Sequence, residues 1–196
     1  VRSFRGVGGR AVAEACGSPP GPVHINLPFR EPLTPPRDVP GERGVPGVPP
    51  AHRPVRLPAP PPEEVHRVAR EVRRHRRGLI VCGPQEDGRL PAAVARLAEL
   101  LDVPVLADPL SQLRSGPHDR SRVIDAYDLF LRDPAIAAGL ECEYVIRFGS
   151  LPTSKTLAGY LGRQPGAHVS VDAHGWIRPL LAATELIRAD PVGFCR

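Results

Sequence analysis

The sequence contains no methionine, and lysine occurs once, at Lys155, among 26 basic residues. The missing methionine leads us to expect a piece of a longer polypeptide. No apolar run approaches the roughly 18 residues that a membrane-spanning helix needs, and no signal peptide is recognisable. We therefore expect a soluble protein that does not insert into a membrane.

Aromatic residues make up only 5% of the chain, although the formal net charge is +5. Proteins that bind nucleic acid cluster their basic residues and place aromatic side chains among them. Here the basic residues are spread along the chain, and the densest run, RRHRR at 73–77, is expected to close a helix. Positive charge at that position stabilises the carbonyl end of the helix dipole. We therefore expect no nucleic-acid partner.

The four cysteines are far apart and form no CxxC pair. This spacing is typical of reduced thiols in a cytoplasmic protein rather than of a disulfide framework or a zinc site. The seven histidines show no metal-ligand spacing such as HxxxH. The sequence therefore predicts no metal site, and Cys82, at the end of an apolar run, is expected to be a buried structural thiol.

The distribution of proline and glycine divides the chain into three parts. Residues 1–33 predict a helix and a strand, PVHINLPF at 22–29, which we expect to be the last elements of a truncated preceding domain. Residues 34–60 are rich in proline and glycine and lack apolar periodicity, which predicts a semi-rigid linker. Residues 61–196 are expected to form an α/β domain.

Short apolar runs alternate with amphipathic segments throughout 61–196. This alternation predicts a doubly wound parallel sheet with helices on both faces, a three-layer α/β/α fold. The predicted strands are GLIVCG, VPVLAD, EYVIRFG, HVSVD and ELIRAD, and the predicted helices lie near 61–78, 89–101, 122–140 and 155–161.

Ligands of such sheets bind beyond the carboxyl ends of the strands. Four polar or glycine-bearing loops follow the predicted strands and are expected to converge on one rim. They are CGPQEDG (82–88), DPLSQLRSG (108–116), GSLPTSK (149–155) and DAHGWIR (172–178).

The loop at 149–155 joins a predicted buried strand to a predicted helix. Backbone N–H groups at a helix start carry partial positive charge, and Lys155 adds a compact cation that suits phosphate or carboxylate. The spacing approaches a P-loop, but Ser154 stands where glycine is required, and Pro152 also hinders the backbone wrap. A specific anion site, a nucleotide-binding module and a solvated surface lysine all stay open here; a solitary lysine in an arginine-rich chain favours the anion site.

Four ordered segments resemble a single family. They are GPVHINLPFREPL (21–33), DPLSQLR (108–114), VIDAYDLFLR (123–132) and RFGSLPTSKTL (147–157). The family is 2-succinyl-5-enolpyruvyl-6-hydroxy-3-cyclohexene-1-carboxylate synthase, a thiamine-diphosphate enzyme of menaquinone biosynthesis. The first segment resembles the end of its pyrimidine-binding domain, and the other three resemble its Rossmann-like central domain. The resemblance covers nearly the whole chain apart from the linker.

The resemblance implies a transferase in the full-length protein, which decarboxylates 2-oxoglutarate and adds the succinyl carbanion to isochorismate. It implies thiamine diphosphate with Mg²⁺ or Mn²⁺, held between two domains that this chain lacks; the chain contains no GDG motif for the metal and diphosphate. We therefore expect no bound cofactor, metal or catalytic residue in this fragment, and no activity from it alone. The family also implies a homo-oligomer assembled through the missing domains.

By motif position, the lysine with which the family holds substrate falls on Lys155, flanked by Ser154 and Thr156. The resemblance implies that these residues bind a substrate carboxylate. Some relatives have a second basic residue where Thr156 stands, so this loop provides one cation instead of two. A second group of candidates consists of Ser111, Gln112 and Arg114. Three roles stay open for them: lining the same cleft, binding a regulatory anion, or only holding their own loop in place. Many central domains of this class bind FAD, ADP or no ligand, and that alternative stays open.

Overall fold

The computed structural model describes residues 2–17, 20–34, 57–173 and 185–196, and the chain forms two units, residues 1–56 and 57–196. The first unit contains helix α1 (Arg2–Ala15), followed by residues 20–34 without regular secondary structure. The predicted strand at 22–29 is therefore wrong for the described residues. A strand requires a hydrogen-bonded neighbour, and none is described for this segment, whose side chains Val23, Ile25 and Leu27 are exposed.

The described residues of the second unit, 57–173 and 185–196, form six strands and six α-helices. The strands are β1 (Gly78–Cys82), β2 (Val105–Ala107), β3 (Val123–Ile124), β4 (Tyr144–Phe148), β5 (Ala167–Asp172) and β6 (Glu185–Arg188). The helices are α2 (Pro62–Val72), α3 (Leu90–Leu101), α4 (Tyr127–Leu131), α5 (Pro134–Gly139), α6 (Lys155–Leu161) and α7 (Pro191–Phe194).

The strands form one parallel sheet in the order β3-β2-β1-β4-β5-β6. From β1 the chain moves outward through β2 to β3, then returns to the other side of β1 and continues from β4 to β6. The direction of winding thus reverses between β1 and β4. The carboxyl ends of these two strands form the switch point at which doubly wound folds bind their ligands.

Both faces of the sheet are covered by helices. Strands β1 and β4 are buried at every position, as is typical of parallel strands with helices on both sides. One face packs against α2, α3 and α7 through residues such as Val68, Val94 and Phe194. The other packs against α4, α5 and α6 through residues such as Tyr127 and Leu157. The predicted three-layer α/β/α fold is confirmed.

Helix α2 is shorter than predicted. It begins at Pro62 with two glutamates in its first turn, as predicted, but ends at Val72 rather than at Gly78. The N–H groups of Arg76 and Arg77 both donate to the Glu143 carboxylate, at 2.9 Å each. These bonds hold the segment after Val72 in a turn that leads into β1, and they lower the pKa of Glu143. The basic run at 73–77 thus follows the helix and connects it to the sheet.

Two short elements, β3 and α7, were not predicted. The predicted division of the chain at residues 33 and 60 stays a prediction, because residues 35–56 lie outside the described part. Among the described helices, none combines the length and the apolar character that crossing a membrane requires.

Candidate functional site

Three of the four predicted rim loops contact one another at the switch point. The N–H of Gly83, in the loop after β1, donates to the carbonyl of Phe148 at 2.9 Å, and Ser150 N–H donates to Pro84 O at 3.0 Å. In addition, Gln85 N–H donates to Leu110 O, in the loop after β2, at 3.2 Å. We name these segments the first loop (82–88), the second loop (108–116) and the lysine loop (149–155). Most of the predicted loop at 172–178 lies outside the described residues.

At the switch point, the backbones of the first loop and the lysine loop are in close contact. A Cβ atom added to Gly83 would lie 1.8 Å from the carbonyl oxygen of Ser150. Gly149 has a φ of +72°, and a Cβ there would lie 2.7 Å from Pro84 O. Dinucleotide-binding folds place a pyrophosphate at this position. At Gly83 and Gly149 the backbones of the two loops are in close contact instead.

Asp108 connects the second loop to the lysine loop. Its carboxylate is completely buried, with 0% exposure. Oδ1 accepts the N–H of Leu110 at 2.9 Å and caps a 3₁₀ turn, while Oδ2 accepts the N–H of Thr153 at 2.8 Å. Asp108 was not predicted as a site residue, although its position directly after β2 was a signal.

Ser154 is the N-cap of α6. Its hydroxyl accepts the N–H of Leu157 at 2.9 Å and donates to Asp128 Oδ1 of α4 at 2.5 Å. The hydroxyl hydrogen is therefore committed to Asp128, which leaves Ser154 a remaining lone pair for any ligand.

Lys155 is the first residue of α6, and its side chain is exposed. Its ammonium group makes no ion pair or hydrogen bond with any residue in the described part of the chain. Thr156 follows as a half-buried residue. Lys155 therefore presents three free N–H donors and a positive charge at the rim of the sheet.

The second group of candidates is bonded within the loops themselves. Ser111 is completely buried, and its hydroxyl accepts the N–H of Leu113 at 3.2 Å. Gln112 donates from Nε2 to Gln85 O at 3.0 Å. Arg114 donates from Nε to Ala107 O at 2.9 Å, and its guanidinium lies 5.9 Å from the centre of the Tyr127 ring. Each of the three residues thus contacts backbone of the first loop, the second loop or β2, and their three predicted roles stay predictions.

The contacts of the lysine loop argue against a P-loop. A P-loop directs free backbone N–H groups at phosphate. Here the N–H of Ser150 is bonded to Pro84, and the N–H of Thr153 is bonded to the Asp108 carboxylate, whose negative charge would repel a phosphate. The arrangement suits a ligand that approaches Lys155 from outside the loop.

Arg147 is a buried cation within the central strand β4. The run EYVIRFG was predicted to be a buried apolar strand, yet the Arg147 guanidinium donates to Ser170 Oγ of β5 at 2.7 Å and to the carbonyl of Gly149 at 3.4 Å. Burial lowers its pKa, and the charge of Asp172 opposes that effect. Arg147 therefore contacts the lysine loop through the carbonyl of its first residue, Gly149.

The thiols and the potential metal ligands form no reactive centre in the described residues. All four cysteines are free, and burial raises the pKa of Cys82, with smaller contributions from Cys195 and Asp108. A protonated buried thiol is a poor nucleophile, so the predicted structural role of Cys82 agrees with its surroundings. No cluster of three or more histidine, cysteine or acidic side chains suited to a metal occurs in the part that the structure describes.

A family model described as the middle domain of thiamine pyrophosphate matches residues 60–195. The chain belongs to this family. It is a middle domain of the kind found in thiamine-pyrophosphate enzymes, which confirms the class inferred from the four motifs.

Curated relatives carry the name predicted from those motifs, 2-succinyl-5-enolpyruvyl-6-hydroxy-3-cyclohexene-1-carboxylate synthase. The protein of that name from Geobacillus kaustophilus (strain HTA426) is 43% identical over 198 residues, covering 100% of this chain and 34% of its own length. That from Chloroflexus aurantiacus is 40% identical, covering 95% of this chain and 32% of its own length. That from Halorubrum lacusprofundi is 40% identical, covering 100% and 35%. The chain thus spans about a third of the length of these relatives.

A solved structure supports the fold. An X-ray structure of a candidate thiamin diphosphate-dependent enzyme isolated from Mycobacterium smegmatis superposes with a TM-score of 0.54 at 21% identity. The match covers 97% of this chain and 36% of that one. It shows a shared fold and carries no information about the role of Lys155.

Proposed function

We propose that this middle domain belongs to a full-length 2-succinyl-5-enolpyruvyl-6-hydroxy-3-cyclohexene-1-carboxylate synthase and that Lys155 holds a substrate carboxylate there. The observation that carries the proposal is an exposed, unpaired lysine at the switch-point rim of a chain whose relatives, 40–43% identical, bear that name. The overall reaction is decarboxylation of 2-oxoglutarate and addition of the remaining succinyl unit to isochorismate, one step of menaquinone biosynthesis.

Lys155 would act by binding and orienting an acidic substrate. Both substrates carry carboxylates, and a hydrogen bond from an ammonium to a carboxylate contributes about 1.5–3 kcal/mol. The free N–H donors of Lys155 support this role, because no described side chain competes for them. Ser154 and Thr156 would contribute less, since the Ser154 hydrogen is bonded to Asp128. We assign Ser111, Gln112 and Arg114 to the support of the second loop.

The described residues do not fit thiamine diphosphate or its metal ion. At the switch point the backbones of Gly83 and Ser150 are in close contact, and the described residues offer no metal-ligand cluster. We therefore propose that the parts of the full-length protein outside this chain bind thiamine diphosphate and Mg²⁺ or Mn²⁺, and that the isolated chain is inactive. This chain would contribute substrate contacts and a scaffold.

Residues 1–33 are proposed to be the end of the preceding domain, joined to the middle domain by the 34–60 linker. Their exposed apolar side chains support this proposal, since large apolar groups in a row favour burial against a partner. Within the described residues, these side chains are Val7, Val12, Val23, Ile25, Leu27, Phe29 and Leu33. The partner would be the remainder of the same polypeptide, with homo-oligomerisation through those domains. The four free thiols support a cytoplasmic location.

The proposed activity is tested on the full-length protein that contains this chain, supplied with thiamine diphosphate and Mg²⁺. Release of CO₂ from 2-oxoglutarate is measured with and without isochorismate, and the condensation product is followed by mass spectrometry. We expect product formation that requires both substrates, and no product from residues 1–196 alone. Full-length protein that binds the cofactor but forms no product from these substrates would overturn the proposed reaction.

A further inference from the structure

Asp108 is a buried carboxylate whose second oxygen is not needed for its local role. One oxygen, bonded to Leu110 N–H at 2.9 Å, is sufficient to cap the 3₁₀ turn. The other reaches a residue 45 positions away, Thr153, at 2.8 Å. No ion pair to Asp108 occurs among the described residues. Burial of a charge without a cation is costly, and the hydrogen bonds to the carboxylate offset part of that cost.

The second bond holds the lysine loop close to its functional end. Thr153 stands two residues before Lys155, and the intervening residue, Ser154, is held by Asp128 at 2.5 Å. The start of the same loop is held by the bond from Ser150 to Pro84. All three of these hydrogen bonds involve residues that precede Lys155, whose own side chain is exposed. The lysine loop is thus held by the first loop, the second loop and α4. Lys155 follows directly after the last residue that is held.

We propose that Asp108 is a positioning residue for Lys155, acting through the hydrogen bond between its carboxylate and the N–H of Thr153. The inference rests on the proposed substrate role of Lys155. When Thr153 N–H is released, the backbone before α6 gains freedom, and Lys155 samples positions that no longer meet the substrate. Preorganisation of this kind contributes to binding because the cost of ordering is met during folding.

The test compares Asp108→Asn, Lys155→Ala and the double variant in the full-length protein with thiamine diphosphate and Mg²⁺. Asparagine keeps the volume and one acceptor oxygen, but its NH₂ group would face one of the two N–H donors, so one bond is lost. We expect Asp108→Asn to raise the KM of the same acidic substrate as Lys155→Ala, by about three- to tenfold, with kcat little changed. The double variant should be no worse than Lys155→Ala, since positioning has no effect once the lysine is absent.

Two further measurements separate positioning from general destabilisation. Hydrogen exchange followed by mass spectrometry should show faster exchange across 149–157 in Asp108→Asn. Asp133→Asn is the matched control, because Asp133 also caps a helix, accepting Ala135 N–H at 2.8 Å, and its hydrogen bonds stay within α5. It should leave both KM values unchanged. If Asp108→Asn fails to fold, Thr153→Pro removes the donor from the other side of the same bond.

The outcomes distinguish the two proposals. If Lys155→Ala raises KM, and Asp108→Asn speeds exchange across 149–157 without raising KM, the positioning role is overturned and the substrate role stands. Additive effects on KM in the double variant would also overturn positioning. If Lys155→Ala leaves both KM values unchanged, the substrate role fails and the positioning role fails with it.

Discussion

The second loop and the lysine loop resemble each other in the sequence, yet the structure uses their side chains differently. Both follow a buried strand of the parallel sheet, and both are polar. In the second loop, the functional groups of Ser111, Gln112 and Arg114 are bonded to neighbouring backbone. The lysine loop is held by hydrogen bonds to residues outside it, such as Asp108, and these bonds involve only residues that precede Lys155.

This difference separates residues that support the fold from a residue that is free for a ligand. A side-chain atom that is bonded to neighbouring backbone must give up that bond before it can bind a ligand, at a cost of about 1 kcal/mol or more for each bond. Lys155 has no such bond to break in the described part of the chain. Polarity alone therefore does not identify the site; a charged group that makes no bond to the described residues, on a well-fixed loop, does.

The largest expected effect tests whether the loops form one packed unit. In Gly83→Ala, the new Cβ would lie 1.8 Å from the backbone carbonyl of Ser150, which cannot move aside as a flexible side chain would. We expect a loss of about 3 kcal/mol in the free energy of unfolding. Gly88→Ala is the control in the same loop, with no heavy atom within 4 Å of the added Cβ. Urea unfolding measures both, and equal stabilities would contradict the packing.

A smaller effect is expected from Arg114→Ala, which removes the bond to Ala107 O and the contact with the Tyr127 ring. The free energy of unfolding should fall by about 1–2 kcal/mol. Because we assign Arg114 to loop support, any rise in KM should be smaller than that in Lys155→Ala. A stable Arg114→Ala protein with a large rise in KM would place Arg114 in the substrate site instead.

The smallest effect concerns the cap of α6. Ser154→Ala removes the acceptor for Leu157 N–H and the donor to Asp128, and helix N-caps contribute about 1 kcal/mol. Thermal unfolding should therefore detect a modest loss of stability. Ser115→Ala is the control, since Ser115 is exposed and outside the contacts that tie the loops. Equal melting temperatures for the two variants would show that the cap does not stabilise the lysine loop.

Most of the second unit follows from local sequence pattern. Strand β1 is a continuous apolar run, β4 is apolar except for Arg147, and α6 has the predicted bounds, Lys155–Leu161. The two-residue strand β3 has too few residues for a period to be visible. The predicted strand at 22–29 alternates correctly but has no described neighbour, and alternation alone does not provide one.

The site was predictable only in part, because the hydrogen bonds that fix it join residues far apart in the sequence. The position of Lys155 at a helix start after a buried strand is a local property, and the sequence was sufficient to predict it. The bonds that fix its loop join Thr153 to a residue 45 positions away and Ser154 to one 26 positions away. Such pairs depend on which strands become neighbours, so no local pattern marks Asp108 or Asp128 as their partners.

The central claim is that Lys155 serves a ligand and not the fold. The most direct test measures, in the full-length protein, both the free energy of unfolding and the two KM values of Lys155→Ala, with 2-oxoglutarate and isochorismate varied separately. Arg163→Ala, at an exposed position just beyond α6, is the matched control for removing a positive charge. We predict unchanged stability, within about 0.5 kcal/mol, and a rise of about tenfold or more in one KM. Lost stability with both KM values unchanged would contradict the claim.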